Sequence, residues 1–147
     1  MEQNSVDILL VEDNLNDAEL ALRALKKSGV ANNIFVVNDG EDALDFLYCR
    51  KKYESRNPNH TPKIILLDLK LPKVNGLEVL RILKADEGKK MIPIIVLTSS
   101  DQEKDMIESY KLGVNSYIQK PVDFDQFIAS VNQLGMYWLL LNKLPNK

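Results

Sequence analysis

The sequence alternates short apolar runs with longer amphipathic segments along its whole length. Most of the apolar runs are rich in valine and isoleucine and nearly continuous, as expected of parallel strands that are buried on both faces. They are VDILLV (6–11), NIFVV (33–37), KIILLD (63–68), PIIVLT (93–98) and NSYIQK (115–120). Apolar spacings of three and four predict helices over 15–28, 41–52, 75–85, 102–112 and 123–141. Five strands that alternate with five helices predict an open, doubly wound α/β sheet with right-handed crossovers.

The length and composition favour one globular domain that binds neither nucleic acid nor membranes. The 147 residues contain no repeat and no flexible linker, so we predict a single domain over 1–147 with an extended polar loop at 53–63. The only histidine, His60, lies in that loop and is expected to be solvated. A net charge of −2 argues against a direct nucleic-acid binder. The single cysteine and the absence of a long apolar segment predict a protein of the reducing cytoplasm, with no membrane contact.

Polar side chains stand at the ends of four of the five apolar runs. In an open parallel sheet the carboxyl ends of the strands border one crevice, where ligands bind. The residues at these ends are Glu12 and Asp13 (first run), Asp68 (third), Thr98 (fourth) and Lys120 (fifth). An isolated aspartate in such a position is usually a turn residue or a helix cap, because its side chain bonds nearby backbone amides. The five residues together predict a functional site instead.

Three carboxylates in one crevice predict a cation site. Two carboxylates about 5 Å apart repel by roughly 3 kcal/mol at an effective dielectric constant near 20, so three must be protonated, solvated or held by a cation. Oxygen ligands suit a hard divalent ion such as Mg²⁺, which can also coordinate an incoming phosphoryl group. With Lys120 as a mobile positive charge and Thr98 as a hydroxyl donor, the set matches the needs of phosphoryl transfer, and Asp68 is then the nucleophile.

The sequence resembles the receiver domain of two-component response regulators over nearly its whole length. The motifs that show the resemblance are VEDN (11–14), LLDLKLPKVNG (66–76), PIIVLTSS (93–100) and SYIQKP (116–121). The resemblance implies a flavodoxin-like (βα)5 fold with a five-stranded parallel sheet in the order 2-1-3-4-5. It also implies a phosphorylation-dependent signalling switch rather than a conventional enzyme. Such a switch accepts a phosphoryl group from a histidine kinase and signals through altered protein–protein contacts.

The resemblance assigns a role to each residue of the crevice. Asp68 is similar to the family's phosphoacceptor, and Asp13 to its direct ligand of Mg²⁺ or Mn²⁺. Glu12 would act mainly through coordinated water, and the backbone carbonyl of Lys70 would complete the protein ligands. Lys120 would contact the phosphoryl group, and its bond to the following proline is expected to be cis.

Two further residues resemble the family's switch. Thr98 would move to bond the phosphate, and Tyr117 would turn inward into the space that Thr98 leaves. Ser99 supplies a small side chain that keeps the acceptor accessible. Lys70 and Ser100 occupy positions that vary among receivers and tune autodephosphorylation, and with it the lifetime of the phosphorylated state. Leu71 replaces a methionine that is common in the family, a volume-conserving change expected to be nearly silent.

The partners are predicted from the loop and from the last helix. The extended 53–63 loop makes the chain similar to the small regulators that serve bacterial, especially cyanobacterial, phytochromes. No segment is left over for an output domain, so output is expected through another protein or through self-association.

The last predicted helix is apolar nearly all round near its end, where Met136, Tyr137, Leu139 and Leu140 add to the core stripe. Such a helix is usually buried against something, and we predict a homodimer through this region. The alternative is a helix end that packs on its own domain or frays.

Three other classes compete with the receiver interpretation. A magnesium phosphatase with an aspartate nucleophile needs a second aspartate two residues later, where this chain has Lys70. A flavodoxin-like FMN binder needs a hydroxyl- and glycine-rich phosphate loop, whereas Glu12 and Asp13 would repel a phosphate. A degenerate receiver that binds partners without phosphorylation would lack part of the acidic set, and this chain lacks none of it.

Overall fold

A parallel five-stranded sheet forms the centre of the protein. The structure, a computed structural model, describes residues 6–29, 33–99 and 102–133. The strands are β1 (Ile8–Val11), β2 (Ile34–Val37), β3 (Ile64–Leu67), β4 (Ile94–Thr98) and β5 (Ser116–Gln119). The α-helices are α1 (Leu15–Ser28), α2 (Gly40–Leu47), α3 (Gly76–Ala85), α4 (Glu103–Lys111) and α5 (Phe124–Gln133). The strand order is β2-β1-β3-β4-β5, which confirms the predicted doubly wound, flavodoxin-like topology.

The core has two layers, one on each face of the sheet. Alternate strand residues point to opposite faces, so each strand contributes to both layers. One layer joins residues such as Leu9, Leu67 and Val96 to α2 and α3. The other joins Leu10 and Leu66 to α1 and, through Phe127, to α5. Burial on both faces explains why the apolar runs are nearly continuous instead of alternating.

The register places the ends of the two central strands at the same level. Val11 of β1 is the partner of Leu67 of β3, and the backbone N–H of Asp68 donates to the Val11 carbonyl at 3.1 Å. The next residues along the two strands, Glu12 and Asp68, therefore leave the sheet side by side. The sheet thus brings both carboxylates to the same edge.

Several element boundaries differ from the predicted ones. Helix α2 ends at Leu47, because the chain turns back at Cys49, whose φ of 54° is left-handed, and then enters a short 3-10 helix over Lys51–Tyr53. Leu15 fits the apolar spacing of three and four that predicts α1, but it is 74% exposed, since it lies at the start of the helix, beyond the end of β1. The part of the last predicted helix that follows residue 133 lies outside the described residues.

The extended 53–63 loop is more ordered than its polar composition predicts. The Arg56 guanidinium donates hydrogen bonds to the carbonyls of Phe46 and His60, the latter at 2.7 Å. The same guanidinium stacks on the Phe46 ring, 3.7 Å from its centroid. Tyr53 packs edge-on against that ring, and His60 is half-buried rather than fully solvated. The loop is therefore fastened to α2.

The length and apolar character of the described helices were compared with those of a membrane span. Within 6–29, 33–99 and 102–133, no helix combines the length and the apolar character that a membrane span requires.

Candidate functional site

Three carboxylates meet at the carboxyl ends of β1 and β3. One oxygen from each of Glu12, Asp13 and Asp68 lies within 4.8 Å of the other two. Glu12 and Asp68 are each 4% exposed, whereas Asp13 is exposed to solvent. The structure thus brings together the three acidic residues that the sequence places at strand ends.

The loop after β1 is fixed by hydrogen bonds around Glu12. The Glu12 carbonyl accepts the side-chain amide of Asn38 at 3.0 Å, and the Glu12 carboxylate accepts the backbone N–H of Asn14 at 3.1 Å. Burial raises the pKa of Glu12 to about 7, against the opposing effect of hydrogen bonds from Lys120 and Asn14, and repulsion by Asp68 adds to the rise. Burial and the repulsion between Glu12 and Asp68 therefore disfavour the charged form of Glu12, and a nearby cation would favour it.

Lys120 supplies a positive charge at the centre of the carboxylates. Its ammonium nitrogen lies 2.5 Å from Glu12 Oε1, 3.0 Å from Asp68 Oδ2 and 2.9 Å from Asp17 Oδ2. Burial alone would lower the Lys120 pKa, but the hydrogen bonds to these three carboxylates outweigh burial and raise the pKa above its ordinary value. The Lys120 backbone N–H donates to the Thr98 carbonyl at 2.8 Å, and the Lys120–Pro121 bond is cis, as the resemblance implies.

The loop that leaves β3 holds Asp68 in place. The backbone N–H of Lys70 donates to Asp68 Oδ1 at 3.1 Å, and the N–H of Gly76 donates to the Leu69 carbonyl at 2.8 Å. Lys70 and Asp13 both line an open cleft of about 440 Å³ beside the carboxylates. The position of Lys70 beside this cleft is compatible with the predicted use of its carbonyl as a metal ligand.

The two predicted switch residues lie on neighbouring strands. Thr98 is fully buried at the end of β4, in register with Gln119 of β5. Tyr117 is half-buried, is the register partner of Val96 and packs against the core layer formed with α2 and α3. Ser99, which follows Thr98, is exposed. The roles of Thr98 and Tyr117 in a switch stay predictions.

Asp17 is a residue of this site that the sequence reasoning missed. It lies in the first turn of α1, where its backbone N–H donates to the side chain of the N-cap residue Asn14 at 3.0 Å. The cap was visible in the sequence as an asparagine three residues ahead of an acidic residue, which places Asp17 in the first turn of a helix that follows Glu12 and Asp13. The reach of Lys120 across to α1 was not visible, because it depends on the fold.

The donor set fits a hard divalent cation. All three side-chain groups are carboxylates, and oxygen ligands are those that Mg²⁺ and Mn²⁺ prefer. Glu12, Asp13 and Asp68 would hold the ion between them, with their mutual repulsion relieved by its charge.

Comparison with known proteins identifies a family. The response regulator receiver domain family matches residues 8–132 of the chain. The protein named "Probable methanogenesis regulatory protein FilR2", from Methanothrix harundinacea, is 40% identical over 138 residues, which cover 94% of this chain and 86% of that protein. Response regulator Rcp1 of Synechocystis sp. is 39% identical over 138 residues, covering 94% of this chain and 92% of Rcp1.

Solved structures agree with the sequence comparison. The bacteriophytochrome response regulator RtBRR is 48% identical with a TM-score of 0.82, and the match covers 96% of this chain and 84% of RtBRR. The phosphorylated cyanobacterial phytochrome response regulator RcpA is 39% identical with a TM-score of 0.78, covering 97% and 99% of the two chains. The Mn²⁺-bound form of Rcp1 is 38% identical with a TM-score of 0.78, covering 96% and 99%.

The family match covers most of the chain, and the relatives align over nearly their full lengths. Receiver domains are signalling domains that work with histidine kinases, not conventional enzymes. The chain therefore belongs to the response regulator receiver domain family and functions in two-component signalling.

Proposed function

We propose that Asp68 accepts a phosphoryl group from a histidine kinase, with Mg²⁺ or Mn²⁺ held by Glu12, Asp13 and Asp68. The observation that supports this proposal most is the placement of Lys120, whose ammonium lies 3.0 Å from Asp68 Oδ2 and 2.5 Å from Glu12 Oε1. A buried carboxylate beside a fixed positive charge is suited to attack a phosphoryl group, because the charge offsets the repulsion between the two anions. Phosphorylation would then alter the surface that another protein recognises.

The transfer itself follows from the residues around Asp68. A carboxylate oxygen of Asp68 forms a bond to phosphorus while the bond from phosphorus to the donor histidine nitrogen breaks, and that nitrogen keeps the electron pair. Lys120 places its positive charge where the transferred oxygens arrive, and Lys70 holds Asp68 through its backbone N–H. The divalent ion supplies charge neutralisation when it is bound. Thr98 and Tyr117 are the residues proposed to respond to the new group.

The proposed metal site predicts a specific stabilisation by Mg²⁺. A ligand that binds only the folded state stabilises it by RT ln(1 + [L]/Kd), about 2.7 kcal/mol at one hundred times the Kd. We expect 10 mM Mg²⁺ to raise the unfolding midpoint of the wild-type protein. Asp13→Asn should remove most of that increase, because Asp13 belongs to the carboxylate group. The measurement is thermal unfolding with and without Mg²⁺.

A charge-matched control separates site binding from general screening. Glu78 is exposed on α3 and pairs there with Arg81 at 3.3 Å. Glu78→Gln should respond to Mg²⁺ as the wild type does. An increase in the midpoint that is equal in wild type and Asp13→Asn would contradict the proposed metal site.

The proposed kinase is of the phytochrome type. This narrower proposal is supported by the similarity to RtBRR, a bacteriophytochrome response regulator, and to RcpA, a cyanobacterial phytochrome response regulator. FilR2, which is 40% identical, is named as a probable methanogenesis regulatory protein, so a direct transfer experiment is needed to test the type of kinase. Transfer from a phytochrome-type kinase to the wild type, and none to Asp68→Asn, is the expected result.

The cytoplasmic location inferred from composition likewise stays a prediction.

A homodimer is the proposed assembly. The residues that motivate it, Met136, Tyr137, Leu139 and Leu140, lie outside the described residues, so the support comes from the apolar pattern of the sequence alone. Light scattering is expected to give twice the chain mass at high protein concentration. A strict monomer, both with and without a phosphodonor, would contradict the proposal.

A further inference from the structure

All three N–H donors of the Lys120 ammonium group form hydrogen bonds in the structure. A lysine ammonium has three N–H donors and no acceptor. All three are matched by carboxylate oxygens, one each from Glu12, Asp17 and Asp68. Any new acceptor that enters the site must therefore displace one of these carboxylates from Lys120.

Two of the three partners also belong to the group of potential metal ligands, and the third does not. Glu12 and Asp68 lie in the group of close carboxylates with Asp13, whereas Asp17 is outside that group. A divalent cation at Glu12 and Asp68 therefore draws on two carboxylates that also accept hydrogen bonds from Lys120. Asp17 is the partner of the three that lies outside the group of potential metal ligands, so Lys120 can keep its bond to Asp17 when a cation binds the other two.

Asp17 is well placed to serve as this second partner. Its backbone is fixed by the cap at Asn14, and a negative charge in the first turn of a helix is favoured by the helix dipole. Its side chain is 39% exposed, against 13% for Lys120, so it lies at the outer side of the site. A cavity of about 100 Å³ lined by Asp17, Lys120, Leu20 and Phe124 gives the lysine side chain room to shift.

We infer that Asp17 is a positioning residue that holds the Lys120 ammonium while Glu12 and Asp68 bind the divalent cation. This inference rests on the proposed function, since it concerns the cation and phosphoryl group of that same site. Without Asp17, Lys120 would lose its alternative partner and would compete more strongly for Glu12 and Asp68. Asp17 thereby sets the cation concentration at which the site becomes ready for phosphorylation.

The first test is a Mg²⁺ titration of Asp17→Asn, a nearly isosteric change. Binding is followed by the NMR shift of the Lys70 amide, which donates to Asp68 in the structure. We expect the Kd for Mg²⁺ to rise about tenfold, which corresponds to about 1.4 kcal/mol. Asp17→Glu, which restores the charge, should return the Kd to within about threefold of the wild-type value. Glu19→Gln removes a charge from an exposed site on the same helix and should change the Kd less than twofold.

A double-mutant cycle separates positioning of Lys120 from simple attraction between Asp17 and the cation. Lys120→Met keeps the aliphatic volume of the side chain and removes its charge. If Asp17 acts through Lys120, Asp17→Asn should change the Kd less than twofold in the Lys120→Met background. An equal increase in both backgrounds would overturn the inference, and so would a Kd of Asp17→Asn within twofold of wild type.

A phosphorylation readout distinguishes failure of this inference from failure of the proposed function. With a small phosphodonor, Asp17→Asn should need about tenfold more Mg²⁺ for half-maximal labelling, while the rate at saturating Mg²⁺ stays within about threefold of wild type. A wild-type protein that is never labelled contradicts the proposed function. A labelled wild type with the same Mg²⁺ dependence as Asp17→Asn contradicts the role of Asp17 alone.

Discussion

Gly76→Ala is expected to lower the free energy of unfolding by about 3 kcal/mol and to slow phosphorylation of Asp68 about a hundredfold. The reason is the close approach of α3 to the backbone that carries Asp68, the proposed phosphoacceptor. A β-carbon added at Gly76 would lie 2.2 Å from the Asp68 carbonyl oxygen and 2.5 Å from the Leu69 Cα. Both neighbours are backbone atoms, so no side chain can rotate away, and the loop after β3 must shift.

That shift would act on the site as well as on stability. The Gly76 N–H donates to the Leu69 carbonyl at 2.8 Å, which ties the start of α3 to the residue next to Asp68. Moving this backbone displaces the Asp68 carboxylate from Lys120 and from the Lys70 N–H. Since phosphoryl transfer depends mainly on positioning and charge neutralisation, a displacement of about 1 Å costs on the order of a hundredfold in rate.

Gly88→Ala provides the matched control. The nearest atom to a β-carbon at Gly88 is Asp86 Oδ1 at 3.3 Å, a side-chain atom, and Gly88 itself is exposed. We expect this change to alter the free energy of unfolding by less than about 0.5 kcal/mol. The measurements are urea unfolding and the rate of labelling by a small phosphodonor. Equal stability and equal rates for the two variants would contradict the account of Gly76.

The ends of the strands were predictable because each strand is marked by its own continuous apolar run in the sequence. Continuous apolar runs determine which segments are buried on both faces, and the parallel order then brings their carboxyl ends to one edge of the sheet. Glu12, Asp13 and Asp68 can therefore be grouped from the sequence alone, and in the structure one oxygen of each lies within 4.8 Å of the other two. The family resemblance supplied the roles of these residues, which spacing alone does not determine.

Other features depended on contacts between distant parts of the chain. Asp17 lies 103 residues from Lys120, and no sequence pattern links the two. Arg56 lies in the extended loop, which the sequence predicts only as polar, yet its guanidinium packs on the Phe46 ring. Leu15 followed the helical spacing but is exposed, because a periodic pattern identifies a face and not where the sheet beneath it ends.

Asp68→Asn is expected to abolish phosphorylation completely. The substitution keeps the size of the side chain but replaces the carboxylate by an amide, which cannot serve as the nucleophile that forms an aspartyl phosphate. Among the carboxylates of the crevice, Asp68 is the one held by β3 and contacted by both Lys120 and the Lys70 N–H. The effect should therefore be loss of labelling rather than a slower rate.

A neighbouring carboxylate provides the control for this site. Asp105 of α4 lines the same open cleft as Asp13 and Lys70, so its carboxylate tests whether another acidic residue of the cleft is labelled in place of Asp68. Asp105→Asn should be labelled to the same extent as the wild type. Circular dichroism of each variant establishes that the fold is retained.

The most direct test is intact-protein mass spectrometry after incubation with a small phosphodonor, with and without Mg²⁺. The account predicts the addition of one phosphoryl group to the wild type and to Asp105→Asn, only when Mg²⁺ is present, and no addition to Asp68→Asn. Labelling of Asp68→Asn to the wild-type extent would contradict the assignment of Asp68 as the phosphoacceptor.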